Sequence, residues 1–222
     1  MERLDGIVNK ARERARFRIA ALRLEHPGQD EVVLGRRLVE SMALRAGLAG
    51  AATGTLSLVA LPVGLSAGVA ISLFLEAELI FSLLELYEVD TEGEQGRLKL
   101  YALWAGAGFA GAAKSVGLGA GATAVGRILR GSLPVRIIRK LNPALVKAIL
   151  RRLGLGWVPR AAKFWPVIGA PISFVLDRAA LRTLGEATLA TLDDEARAHR
   201  RAATAKGAGS RRSTRIRVTR SG

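Results

Sequence analysis

The chain has no cysteine and only two histidines, His26 and His199. Without thiols there is no disulfide and no thiolate metal centre, a composition that fits a reducing compartment. One histidine sits beside Pro27-Gly28 at a helix stop and the other opens a basic tail. Neither placement builds a metal site, and no Ser/His/Asp or Cys/His arrangement can be assembled around them. Aromatic residues are scarce at 5%. Strand-forming alternation is confined to Ile216-Arg217-Val218, too short to stand alone. The first residues are charged and no early apolar region follows, so no secretory leader is expected. These absences predict no catalytic residue, no metal ligand and no cofactor, hence a protein that is not an enzyme.

Charge is missing in long blocks. From Ala46 to Leu75 thirty consecutive residues carry none, although the formal net charge is +15. Thirty uncharged residues exceed the roughly 20 that cross a bilayer as a helix. Pro62 and Gly64 interrupt the run, so it reads equally as two shorter helices joined by a bend. Between Glu76 and Glu94 there are seven acids and no base. Between Arg127 and Lys163 there are ten bases and no acid: Arg127, Arg130, Arg136, Arg139, Lys140, Lys147, Arg151, Arg152, Arg160 and Lys163. From Arg197 to Gly222 there are nine more, again without an acid. Basic segments of this kind attract polyanions, either phosphate backbones or acidic lipid headgroups.

What is present is helical periodicity. Leu4, Ile7, Val8, Ala11, Ala15, Ile19 and Leu22 share one helical face, with arginines over much of the rest. This basic amphipathic helix, over 1–28, either docks on the domain or lies in the headgroup region of an anionic membrane. Asp30 caps a second helix that runs into the uncharged stretch. A third, carrying Ile71 to Leu84, is apolar nearly all round and so is predicted to be buried in protein or lipid. A glycine-crowded region, Gly106 to Gly121, suggests a helix–break–helix hairpin, since each glycine costs a helix about 1 kcal/mol. Asn142-Pro143 starts another helix, and Pro166 to about Ala198 gives the last. Beyond it, residues 197–222 are too polar to offset their ordering entropy and are expected to be disordered. Trp104, Trp157 and Trp165, with Tyr87 and Tyr101, fall near the ends of apolar segments, as interfacial belts do and as helix-end residues of soluble cores do. The predicted fold is an all-α bundle of Gly/Ala-rich apolar helices and helical hairpins, with its main domain over 30–196.

Glu76, Glu78 and Glu85 are the chemically odd residues, because a carboxylate on an apolar helix is costly unless paired or neutralised. They either pair with bases of the Arg127–Lys163 segment or form a proton or cation site within the bundle. Asp177, beside Arg178, is expected to make a local ion pair or a helix–helix hydrogen bond.

Three stretches are similar to the EcsC family of bacterial proteins. Gly50 to Pro62 resembles that family's glycine-rich apolar helix ending in Leu-Pro. Tyr87-Glu88-Val89-Asp90 resembles a Tyr-Gly-Tyr-Asp step, with Glu88 in place of glycine. Pro166 to Asp177 resembles a Pro-Val-Val-Gly-Ala-x-x-Gly-x-x-x-Asn segment. In it Pro166, Gly169 and Ala170 match, Ser173 replaces glycine and Asp177 replaces asparagine. The order and spacing hold over about residues 40–190. The resemblance implies a helical, membrane-associated bacterial protein, named for a gene beside an ABC transporter and without established chemistry. The expectation is therefore a non-enzymatic protein on the cytoplasmic face of a bacterial membrane, binding or inserting into anionic lipid. A membrane protein complex and self-association are further candidate partnerships. The alternative is a soluble scaffold whose Arg-rich tail binds nucleic acid or an acidic partner.

Overall fold

The computed structural model describes residues 2–56, 67–105, 122–131, 136–137 and 166–218. They form six helices: α1 (Glu2–Glu25), α2 (Glu31–Leu56), α3 (Ala67–Leu86), α4 (Gly93–Ala105), α5 (Ala122–Leu129) and α6 (Pro166–Val218). No strand occurs among the described residues. The Pro62 bend, the glycine cluster Gly106–Gly121, the Asn142-Pro143 helix start, Trp157 and Trp165 lie outside them.

Local chemistry sets the helix ends. The backbone N–H of Val32 donates to Asp30 Oδ1 at 2.9 Å, making Asp30 the N-cap of α2 as its side chain suggests. At the end of α3 the N–H of Glu88 donates to the Glu85 carbonyl (3.1 Å) and that of Val89 to the Leu84 carbonyl (2.9 Å). This is a Schellman stop, which places Glu88 in the left-handed region at φ 55°. Glycine ordinarily takes such a position because a Cβ there crowds the following carbonyl.

The central element is α3. Leu79, Ile80, Phe81, Leu83 and Leu84 are all but fully buried, on every side of the helix. A helix apolar all round needs neighbours all round. Here α1, α2, α4 and α6 supply them. The most extensive contact in the molecule is between α2 and α6. They are antiparallel, since an added Cβ at Gly35 would meet Leu189, one at Gly185 would meet Val39, and one at Gly47 would meet Phe174. Leu79 also lies against Gly185, and Gly68, Ile71 and Ser72 share a pocket with Ala46, Ala49 and Gly50. The uncharged run is therefore divided between α2 and α3, which run in opposite directions. No described helix is long and apolar enough to cross a membrane.

Two further outcomes concern the ends of the chain. The first helix docks through its apolar face, burying Val8, Ala11, Ala15 and Ile19 in the common core. The backbone of α6 is helical from Pro166 to Val218. Alanine, arginine and lysine are good helix formers, and no proline follows Pro171, so a packed helix can propagate into this sequence.

Candidate functional site

The acids of residues 76–94 find their partners on α1. Arg18 donates through Nε (2.9 Å) and Nη2 (2.5 Å) to one oxygen of Glu78, Oε1. Glu78 is 1% exposed, and its second oxygen, Oε2, is buried without a hydrogen-bond partner. Arg16 Nε donates to Glu85 Oε1 at 3.2 Å, and its Nη2 pairs with Glu92. Arg12 reaches Glu92 Oε2 at 3.0 Å and the Thr91 carbonyl at 3.3 Å. Arg23 donates to the Leu86 carbonyl (3.1 Å) at the C-terminus of α3, where the helix dipole favours a cation. These contacts correct the expectation that Glu78 and Glu85 pair with the Arg127–Lys163 segment. The signal was available: α1 places its arginines around an apolar stripe, and once the stripe docks on α3 they border the acids.

The loop between α3 and α4 is fastened from within as well. Thr91 is buried and its hydroxyl donates to Glu85 Oε1 at 2.9 Å. Lys99, 4% exposed, donates Nζ to the Asp90 carbonyl at 2.6 Å. Burial lowers the pKa of this amine, partly countered by the charge of Asp90. Gly96 packs so closely under Thr91 that an added Cβ would lie 1.8 Å from its carbonyl oxygen. Tyr87 keeps its hydroxyl buried without a partner. Its pKa is pushed up to about 12, first by burial and then by the charges of Asp193, Glu31 and Asp30. Each carboxylate of this joint that meets α1 pairs with a guanidinium, so the joint is a structural clamp between α1 and the α3–α4 loop.

Glu76 stands apart from the clamp. It accepts a hydrogen bond from Trp104 Nε1 and lines a small pocket between α2, α3 and α6. Asp177 lines the same pocket, with Ser72 and the small residues Ala46, Ala49, Gly50 and Gly68. Two of the predicted site residues and two of the motif stretches thus meet, because Gly50 lets α6 approach: its Cβ would lie 2.1 Å from Asp177 Oδ2 and 3.0 Å from the Ser173 carbonyl. The pocket measures about 40 Å³. That is room for roughly three waters and far below the few hundred Å³ of a small-molecule site. A larger groove of about 600 Å³ runs along α2 and α6, bordered by Arg36, Glu40, Arg182, Glu186 and Asp193. Arg182 bridges two of its acids, pairing to Glu40 at 3.1 Å and to Glu186 at 2.8 Å. Trp104 and Tyr101 are buried core residues.

Of the ten bases of the Arg127–Lys163 segment, Arg127, Arg130 and Arg136 are described, and all three are exposed. Arg130 pairs with Glu195 of α6 at 2.7 Å. Arg139, Lys140, Lys147, Arg151, Arg152, Arg160 and Lys163 lie outside the described residues. Pro166, Gly169 and Ala170 form the first turn and a half of α6, with proline at the first helical position, where its missing N–H costs nothing. No group of three His, Cys, Asp or Glu that could hold a metal occurs among the described residues. No family model, curated protein or solved structure matches the chain.

Proposed function

We propose that this is a non-enzymatic helical protein, EcsC-like in kind, that docks on anionic membrane surfaces of the bacterial cytoplasm. The observation that carries this reading is the distribution of exposed apolar side chains. Among the described residues eight large ones are exposed; Leu44, Leu48, Ile71, Val175 and Leu176 lie in the half of the bundle remote from the acidic clamp, while Phe17, Leu24 and Val33 stand singly on α1 and at the start of α2. The C-terminal ends of α2 and α4 and the N-terminal ends of α3 and α6 are in that half. In the sequence, 57–66 joins α2 to α3 without a charge, and the basic segment ends at Lys163, three residues before α6 begins. An apolar surface beside cationic sequence is the combination that interfacial binding requires. By contrast α1 has its apolar face on α3 and four of its arginines on α3 and the α3–α4 loop, so it serves as a clamp in the folded molecule.

Flotation with neutral phosphatidylcholine vesicles and with phosphatidylglycerol-rich vesicles tests the proposal. The protein is expected to float with the anionic vesicles, and Leu44→Ser/Leu48→Ser/Val175→Ser is expected to stay at the bottom while melting as the parent does. A parent that floats with neither vesicle, or a triple variant that floats undiminished, overturns it.

A further inference from the structure

The continuation of α6 creates a second charged surface at the other end of the molecule. The helix has 53 residues, which corresponds to about 80 Å at 1.5 Å per residue. Its first half packs on α2, and Leu189 already lies against Gly35, near the start of that helix. The helix then continues from Glu195 to Val218, roughly 35 Å past the last carboxylate of the chain. All nine bases of the C-terminal segment follow Glu195.

Helical backbone arranges these bases unequally. At about 100° per residue, helix positions 197, 200, 201, 211, 212 and 215, all arginine, occupy one arc of about 120°, while Lys206 and Arg217 fall outside it. The arc extends about 27 Å along the axis. Asp193 balances its first members, pairing with Arg197 at 2.6 Å and meeting Arg200 at 4.0 Å. Arg201 is exposed. Arg201, Arg211, Arg212 and Arg215 follow that carboxylate by eight residues or more in the chain.

We propose that this extension is an arm that binds the phosphodiester backbone of nucleic acid without reading its sequence. Three observations favour that partner over a lipid surface. Between Arg197 and Arg215 the remaining positions carry Ala, Gly, Ser, Thr, His and Lys, and none carries a large apolar residue. A helix lying in a membrane interface needs such a face to bury. Eight of the nine bases are arginine, whose planar fork suits a phosphate diester. The arm also leaves the bundle at the end opposite Leu44, Leu48 and Val175. The inference goes beyond membrane docking and does not depend on it.

The experiment measures binding of the full chain to a random-sequence duplex of about 20 base pairs by fluorescence anisotropy, between about 50 and 200 mM salt. Two variants are compared: Arg201→Gln/Arg211→Gln/Arg212→Gln/Arg215→Gln on the face, and Lys206→Gln/Arg217→Gln off it. Each lost phosphate contact makes the plot of log K against log salt shallower by about 0.9. The face variant is expected to lose roughly 3 to 4 in slope and at least roughly tenfold in affinity, with the off-face variant losing less than half as much per charge. Equal loss per charge in the two variants overturns the helical face, and undiminished duplex binding by the face variant overturns the arm. If the face variant keeps its duplex affinity but no longer floats with phosphatidylglycerol vesicles, the partner is lipid and the proposal is wrong. Circular dichroism melting of both variants, unchanged from the parent, excludes loss of the body as the cause.

Discussion

The two halves of the bundle are held by different means. Around the α3–α4 loop, position is specified by directed polar contacts: Arg12, Arg16, Arg18 and Arg23 of α1 each meet a named carboxylate or carbonyl. Around the start of α3 and α6, position is specified by the absence of side chains, since Gly47 and Gly50 let Phe174 and Asp177 come to within contact of α2. The first half presents acids that are already paired with arginines. The second presents exposed leucine, isoleucine and valine. A half whose charges are internally paired has little left for a partner, whereas apolar surface left in water has a reason to be covered. That contrast, more than total charge, is what the proposed docking through one half rests on.

The contrast is broken most severely at Arg18. Replacing it with alanine leaves the carboxylate of Glu78 buried and unpaired, at a cost of about 3 kcal/mol, the low end for a buried ion pair because Arg18 is itself 19% exposed. Glu78→Gln keeps a hydrogen-bonding group beside Arg18 and is expected to cost less. A double-mutant cycle read by chemical denaturation isolates the pair. If Arg18→Ala costs no more than a surface substitution, the clamp is not a stability element and the contrast fails.

Two glycines test the halves against each other. Gly96→Ala drives a methyl group into the Thr91 carbonyl, a backbone atom that cannot swing aside, and about 2 kcal/mol or more of destabilisation is expected. Gly50→Ala meets chiefly the tip of the Asp177 carboxylate, which can rotate, although the Ser173 carbonyl at 3.0 Å limits the relief. About 1 kcal/mol is expected there. Thermal melting of the two variants ranks them, and a larger loss for Gly50→Ala would show that the small-residue packing is the less adaptable half.

Much of this arrangement was legible in the sequence. The stops at His26-Pro27-Gly28, the Asp30 cap, the apolar face of α1 and the all-round burial of α3 follow from periodicity and capping chemistry. The partners of Glu78 and Glu85 did not, because sequence pattern places residues on a helix face without saying which helix that face meets. The meeting of Glu76 with Asp177 was hidden for the same reason: the two lie a hundred residues apart, and only the antiparallel α2–α6 contact brings them to one pocket.

Glu88 offers a gain in place of a loss. It holds φ at 55° in a Schellman stop, and its own ion pair with Arg23 is long, 3.5 Å, and exposed. Glu88→Gly removes the crowding of a left-handed side chain and is expected to stabilise the protein by about 1 kcal/mol, net of a few tenths lost with the surface pair. A raised melting temperature with unchanged flotation places the benefit in the clamp half alone. A lowered one means that Glu88 serves Arg23 more than its geometry suggests.

Tyr87 gives the smallest effect at neutral pH and the most specific one in alkali. Its hydroxyl is buried without a partner, so Tyr87→Phe removes an unsatisfied group and is expected to change stability by less than about 0.5 kcal/mol near pH 7. In the folded chain the phenol ionises at about 12 against 10.0 when free. The unfolded chain therefore releases its proton first, and stability is lost as pH rises through that interval. Lys99 acts in the opposite sense, because its lowered pKa makes the folded state gain as pH climbs toward 10.5. Subtracting the stability–pH curve of Tyr87→Phe from that of the parent removes the lysine and leaves the phenol. A parent that weakens relative to the variant above about pH 10 places Tyr87 in the dry, acidic corner between α2 and α6, and curves that stay parallel up to about pH 12 remove it from that corner.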